Sequence, residues 1–357
     1  MSHALLDKLA EGGGLSHGEY VELLRTRTPA LAEELFARAR CVRDRIYGPQ
    51  VFLRGLVELT SFCRNDCYYC GIRRGNRNAE RYRLTPEQVL ASCAVGYELG
   101  FRTFVLQGGE DEYFTDERVA ALVRGVKERC PGSAVTLSLG EKSYESYRRL
   151  RAAGADRYLL RHETADPEHY RKLHPENLTL ANRLRCLRDL RSLGFQTGAG
   201  FMVGSPGQTL DCLAQDLAFL ADFRPEMVGI GPFMPHHDTP FAQEPAGDLD
   251  LTLFLLGMLR LLLPAVLLPA TTALGSIHPR GRELGVLAGA NVIMPNLSPP
   301  DVRSKYLLYD NKLSSGAEAA EGLADLRRRL AEVNCRIATG RGDHHGYTPP
   351  VAAAAKP

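Results

Sequence analysis

Apolar residues along this chain follow two alternating rhythms. Short runs rich in β-branched and other apolar residues, at 51–59, 103–106, 134–139, 157–160, 196–203, 227–230, 267–271 and 290–294, read as strands. Between them, apolar residues recur at the three- and four-residue spacing of one helical face. Strands alternating with helices pair in parallel through right-handed crossovers, and eight repeats suffice to close a barrel. The expected fold is therefore α/β, a (β/α)8 TIM barrel over 49–338. An N-terminal helical extension at 1–48 precedes it. A tail at 339–357, rich in Gly, Pro and Ala and including His344 and His345, is expected to be disordered.

Helix boundaries carry their own signals. Thr85-Pro86-Glu87-Gln88 combines an N-cap threonine, proline at the first helical position and glutamine three residues on, and Gly100 ends that helix. Thr179 can cap a helix whose Leu184, Leu187 and Leu190 face inward before Gly194, and Thr209 can begin another through Leu213, Leu217 and Leu220.

The composition narrows the function class. At 357 residues the chain fits one long α/β barrel, and its formal net charge of +2 lacks the signature of a nucleic-acid binder. The N-terminus has no charged region followed by an apolar one, and the most apolar stretch, 249–273, is interrupted by Arg260, Pro264 and Pro269. A cytoplasmic protein acting on a small molecule, without a membrane partner, is expected. Nine cysteines are an odd number and do not look like a disulfide framework, which suits a reducing, anoxic interior.

Three of the nine sit in Cys63-Arg64-Asn65-Asp66-Cys67-Tyr68-Tyr69-Cys70. At this cysteine frequency such a Cys-x3-Cys-x2-Cys triplet should arise by chance in only roughly one chain in a hundred. A four-iron cluster usually takes four cysteine ligands, so three leave one iron open, as a catalytic metal site requires. The competing reading is a zinc site with a histidine as fourth ligand, but no histidine lies between Phe62 and Gly100. Cys93, Cys186 and Cys212 fall within helical patterns, and Cys41, Cys130 and Cys335 have no nearby ligand partner, so packing is their default role. His236-His237-Asp238 could suggest a metal, but Pro235 and Pro240 fit a rigid loop better.

The triplet directly after the first strand, with Tyr69 before its third cysteine, resembles the radical S-adenosylmethionine (SAM) superfamily. That resemblance implies one 4Fe-4S cluster on Cys63, Cys67 and Cys70, with SAM as second cofactor and Tyr69 near the adenine. Gln107-Gly108-Gly109-Glu110, at the end of the second strand, is similar to the superfamily segment whose backbone carbonyls receive the methionyl ammonium. Period-two alternation puts Thr136 with Ser138, and Arg161 with Glu163, on one side of their strands. If that side is the interior, a charged pair there is costly without partners. SAM would supply them, a ribose diol for Glu163 and a carboxylate for an arginine, with Arg183 better placed than Arg161 for bidentate binding. An internal salt bridge of Glu163 with Arg161 or Arg183 remains the structural alternative. Met202, in a segment resembling the adenine wall, is a further cofactor contact.

Longer segments narrow the resemblance. Residues 65–74, 135–141, 153–164, 228–233, 269–273 and 289–296 look like HydE, the FeFe-hydrogenase maturase family, and the likeness runs over roughly 20–310. It implies a barrel enclosing SAM and substrate, and a role in assembling the dithiolate-bridged di-iron part of the H-cluster. The implied substrate is a cysteine-bound iron carbonyl cyanide complex, with transient contact to HydG, which makes it, and to the scaffold HydF. Arg157, Thr271 and Thr272 at strand ends, with Tyr306 closing the mouth, are the substrate-side candidates. After Leu307 only Cys335 remains, so no second cluster of the kind some HydE proteins carry can be held there. Methylornithine synthase, biotin synthase and a non-catalytic iron-sulfur carrier are the alternatives.

Overall fold

The computed structural model describes residues 2–12, 14–313 and 322–348. Eleven strands appear among them: β1 Gln50–Leu53, β2 Gly55–Thr60, β3 Thr103–Gly108, β4 Ala134–Ser138, β5 Arg157–Leu159, β6 Gln196–Ala199, β7 Met202–Val203, β8 Met227–Val228, β9 Gly231–Pro232, β10 Val292–Ile293 and β11 Arg336–Ala338. Every pairing between them is parallel. The main sheet runs β2-β3-β4-β5-β6-β8 and continues through single bridges, Met227 to Leu267, Pro269 to Val292 and Leu56 to Asn296. Leu56 N–H donates to Pro295 O at 2.9 Å and Leu297 N–H to Leu56 O at 2.7 Å, so the ring closes with eight staves.

Two expected strands are broken, each for a visible reason. The run 51–59 divides at Arg54 into β1 and β2, and β1 takes β11 on its other edge. The run 196–203 divides at Gly200, where φ is +149° and an added Cβ would lie 2.0 Å from Gly229 O. Only glycine permits that approach of two staves.

The caps read from sequence form. Thr85 accepts from Gln88 N–H while Gln88 reaches back to the Thr85 N–H, and Thr179 and Thr209 cap the helices Leu180–Ser192 and Leu210–Phe223. The N-terminal helices Ser2–Ala10, His17–Arg25 and Pro29–Tyr47 join the outer ring: the second packs on Leu210–Phe223 and the third on Leu249–Leu262. Leu6, Leu9, Tyr20, Leu24 and Leu35 bury in the same apolar core as the barrel. Leu249–Leu262 is buried throughout from Thr252 onward, and Arg260 within it is neutralised by dipoles, donating to Gly289 O, Pro264 O, Val266 O and Asn291 Oδ1. Among the described residues no helix is long and apolar enough to cross a membrane.

The tail departs from expectation. Residues 349–357 lie outside the described residues, but 340–347 cross the barrel floor, at the N-terminal ends of the strands. Arg157, buried completely, donates to Asp343 Oδ1 at 2.6 Å and to Arg341 O at 3.0 Å. Thr103 donates to Arg341 O at 2.6 Å, Gln196 holds Asp343 at 2.8 Å, and the N–H groups of His344 and His345 reach Gln196 and Tyr47. Composition suggested disorder because Gly and Pro disfavour regular structure. A strap needs no regular structure when side chains satisfy its backbone.

Candidate active site

At the opposite end the strands' C-terminal loops enclose a cavity of ≈350 Å³. Cys63, Cys67 and Cys70 all line it, each half-buried and none in a disulfide. Burial pushes all three thiols above their ordinary value, Cys70 to about 12. Thiols held so high become thiolates when a metal charge compensates them, so the donor set fits an iron-sulfur cluster. No other cysteine lines the cavity; Cys93, Cys130, Cys186, Cys212 and Cys335 are buried elsewhere and Cys41 is on the surface. The loop between the cysteines and β3 is tied by Arg81, whose guanidinium donates to Ser61 O, Ile72 O, Arg73 O and Asn76 O. Sequence reading missed Arg81; its place in an arginine-rich stretch gave it no distinguishing mark.

Of the residues expected around the cofactor, Tyr69, Gln107, Gly108, Gly109, Glu110, Ser138, Arg161, Glu163, Arg183 and Met202 line the same cavity. Thr136 does not; it is buried one strand layer deeper, beside Arg157 in the β4–β5 register. Tyr69 OH lies 3.2 Å from His174 Nε2, and His174 Nδ1 lies 3.0 Å from Tyr170 O. The carbonyl needs a proton on Nδ1, so Nε2 accepts from the tyrosine and fixes its ring. The glycine at 109 serves a different neighbour from the one expected: an added Cβ would lie 2.2 Å from Phe62 O and 2.7 Å from Cys63 Cβ, so it lets β3 approach the cysteine loop. Arg64 N–H takes Glu110 O at 2.9 Å, and the Glu110 carboxylate accepts from Arg64 and from Glu141 N–H.

Glu163 stands on strained backbone, with φ at +67° in a non-glycine residue. Its N–H donates to Gly200 O at 3.0 Å and its carbonyl accepts from Met202 N–H at 3.3 Å, which holds the turn against the strain. Arg161 Nη2 lies 3.0 Å from Glu163 Oε2 without hydrogen-bond geometry, leaving both atoms without a hydrogen-bond partner. The salt bridge weighed from sequence therefore forms, but incompletely. Behind the turn His162 and Asp216, both fully buried, lie 3.1 Å apart. Gly200 N–H donates to His162 Nδ1 and Ala165 N–H to Asp216 Oδ1, so the pair pins both sides of the Glu163 turn. Burial lowers His162 to about 3 and keeps it neutral. Arg183 is held by Glu141 at 2.6 Å and donates to Arg161 O.

On the facing wall Thr271, Thr272 and Tyr306 line the cavity, and the Thr271 hydroxyl is buried without a partner. Gln107 Nε2 lies 3.4 Å from Tyr306 OH. Arg157 is not part of this wall. It is the first residue of β5, so its side chain belongs to the floor, paired with Asp343. An unanticipated ion pair joins the wall: Glu58 on β2 meets Lys312 at 2.5 Å and Asn296 Nδ2 at 2.9 Å, and Lys312 donates to Tyr306 O. No spacing rule links residues 254 apart in the chain. The histidines of the sixth stave's loop also close on themselves: His237 Nδ1 lies 2.7 Å from Asp310, and His236 Nδ1 accepts Asp238 N–H. That acceptor role leaves the His236 proton on Nε2, the nitrogen facing Asp310, which disfavours a metal there.

Residues 57–220 match the model of the radical SAM superfamily. The FeFe hydrogenase maturase subunit HydE of Thermotoga maritima is 48% identical over 292 residues, 82% of this chain and 83% of that protein. The chain belongs to the HydE family of radical SAM enzymes. A 3-methylornithine synthase of Methanosarcina barkeri is 30% identical over 92% of the chain and 91% of its own length. The crystal structure of methylornithine synthase PylB superposes with a TM-score of 0.82 at 29% identity, covering 94% of this chain and 97% of that one. The family uses a 4Fe-4S cluster and SAM, and the cavity described above carries the cysteines that such a cluster requires.

Proposed function

We propose that this protein cleaves SAM reductively and uses the product on a cysteine-bound iron carbonyl cyanide complex, in assembly of the dithiolate-bridged di-iron subcluster of FeFe hydrogenase. The observation that carries the reading is the arrangement of one cavity: three free cysteines on one side, the strained Glu163 with Arg161 and Arg183 beside them, and Thr271, Thr272 and Tyr306 opposite. Cys63, Cys67 and Cys70 would hold the cluster, and Tyr69, Gln107, Gly108, Gly109, Glu110, Ser138, Arg161, Glu163, Arg183 and Met202 would surround SAM. The bound cofactors supply a 5'-deoxyadenosyl radical by one-electron cleavage of the C5'–S bond. The chain's own part is to fix both ligands and to exclude water from the space between them. Thr271, Thr272 and Tyr306 would face the iron complex, with HydG as its source and HydF as the acceptor of the product.

Identity to HydE favours this reading over the rivals, and the absence of any fourth cysteine on the cavity wall argues against a biotin synthase with a second, sulfur-donating cluster there. Methylornithine synthase remains the second reading because its structure covers nearly the whole chain. The deciding experiment measures 5'-deoxyadenosine formation by anoxically reconstituted, reduced protein with either the iron–cysteine complex or L-lysine. Stimulation by the iron complex is expected; stimulation by lysine alone would overturn the maturase reading.

A further inference from the structure

A fully buried aspartate, Asp216, stands in the middle of the helix Leu210–Phe223, among the buried Leu213, Leu217 and Leu220. Its Oδ1 lies 3.1 Å from His162 Nε2 and accepts the Ala165 N–H, while Oδ2 is buried without a partner. Burial raises this carboxyl well above its ordinary value, just as it keeps His162 neutral. Neither residue lines the cavity. A polar pair this deep is costly, and packing alone would be served as well by apolar side chains.

What the pair holds is the backbone around Glu163. Gly200 N–H donates to His162 Nδ1 at 3.2 Å. An amide N–H needs a lone pair, so Nδ1 carries no proton and the single proton of the neutral ring sits on Nε2, toward Asp216. That tautomer depends on the acceptor at Oδ1. Without it the buried Nε2–H has no partner, and a proton moved to Nδ1 would face the Gly200 N–H. Gly200 is also the residue whose carbonyl takes the Glu163 N–H at 3.0 Å, and the next residue, Phe201, bridges to Glu163. On the far side of the turn Asp216 holds Ala165, and its neighbour Gln215 donates to Asp166 at 3.0 Å. Two consecutive residues of one helix thus hold the chain just beyond Glu163, while His162 ties the residue before it to the next stave. A non-glycine residue at φ +67° keeps that conformation only where its surroundings over-determine it.

We propose that Asp216 is a positioning residue for cofactor binding: through the Nε2–H tautomer of His162 and through the Ala165 amide, it fixes the Glu163 carboxylate toward the ribose diol of SAM. The inference rests on the reading of Glu163 as a SAM ligand. Asp216 itself reaches no cofactor. It acts as a hydrogen-bond acceptor and not as a charge, because one oxygen makes both contacts and the other makes none.

The test uses the full-length, anoxically reconstituted protein and measures Kd for SAM and for a SAM analogue lacking both ribose hydroxyls, alongside iron content. Asp216→Leu keeps a side chain of similar shape and removes the acceptor; it should weaken SAM binding roughly tenfold and leave the Kd of the analogue unchanged. Asp216→Asn keeps a carbonyl oxygen at the Oδ1 position and should bind SAM within about twofold of the unsubstituted protein. His162→Phe removes the ring nitrogens at similar size and should reproduce the Asp216→Leu pattern, which guards against misfolding of that variant. On a Glu163→Ala background Asp216→Leu should add no more than about twofold, since both changes act through one carboxylate. An unchanged SAM Kd in Asp216→Leu and His162→Phe overturns the proposal. So does an equal loss for SAM and the analogue, a loss in Asp216→Asn as large as in Asp216→Leu, or a fully additive loss on the Glu163→Ala background. If Glu163→Ala alone leaves SAM affinity unchanged, the reading of Glu163 as a SAM ligand falls, and the proposal falls with it.

Discussion

The two ends of the barrel use the same chemistry, arginine against carboxylate, to opposite purposes. At the floor both terminal nitrogens of Arg157 are engaged, with Thr103, Arg341 O and Asp343, and Arg341 in turn reaches Asp156 at 3.1 Å. At the mouth Arg161 and Glu163 approach to 3.0 Å yet leave hydrogen-bonding atoms unsatisfied, on a backbone held at positive φ. The floor pair is hydrogen-bonded directly, Arg157 to Asp343, and stabilises the fold although Arg157 Nε is buried without a partner. A pair that is close but incomplete, on strained backbone over a cavity, is poised for a ligand to complete it. Catalytic groups collect at the C-terminal face of such barrels, while the other face carries stability.

The contrast can be broken experimentally. The largest effect is expected at the cysteines: Cys67→Ala should reduce 5'-deoxyadenosine formation to background while melting temperature changes little. Activity retained in that variant would remove the cluster from the mouth. Asp343→Ala leaves a buried guanidinium without its carboxylate and should cost about 3 kcal/mol of stability, with SAM affinity of the folded protein unchanged. Denaturant unfolding and a SAM titration separate the two ends. Glu163→Ala should do the reverse: losing a charged hydrogen bond of about 1.5–3 kcal/mol raises the SAM Kd roughly tenfold to a hundredfold, with iron content intact. Equal SAM affinity in the two variants would abolish the distinction.

The smallest effect is one of pH, with opposite sign at the two ends. Burial alone would raise the Asp343 carboxyl, but the hydrogen bond from Arg341 and the charge of Arg157 outweigh it and hold the group well below its ordinary value. Its contribution is present above about pH 4 and is lost as pH falls through the depressed value. The exposed His237 is raised by the hydrogen bond its ring donates to Asp310 and by that carboxylate's charge. Its contact is fully present below about pH 6.5 and is lost as pH rises through the elevated value. Hydrogen exchange should therefore quicken at 340–347 in acid and at 304–313 toward alkaline pH. The same direction at both segments would show that neither pair controls its end.

The site was legible where chemistry is local in the chain. The cysteine triplet needs only eight consecutive residues, and the cavity gathers it with the Gln107–Glu110 segment, Glu163, Arg183, Thr271 and Tyr306 much as strand order implied. Supports that depend on residues distant in sequence were not legible: His174 behind Tyr69, Asp216 behind His162, Glu141 on Arg183 and Lys312 on Glu58. Each is a polar residue whose partner is supplied by another stave or loop.

Arg157 and Arg161 show where the division falls. They lie four residues apart, one at the start of β5 and one just beyond its end, and a three-residue strand is enough to send one to the floor and the other to the mouth. Periodicity gave each a side of its strand, since side-chain direction alternates residue by residue. Which end of the barrel each reaches depends on where the strand begins and on what crosses the floor, and the strap at 340–347 is almost two hundred residues away. The sequence by itself determined the alternation of strands and helices, the helix caps and the cysteine triplet, because each is set by covalent neighbours. Only the tertiary structure decided which charges are saturated and which are left open, because a buried charge is settled by whatever partner the closed ring brings beside it.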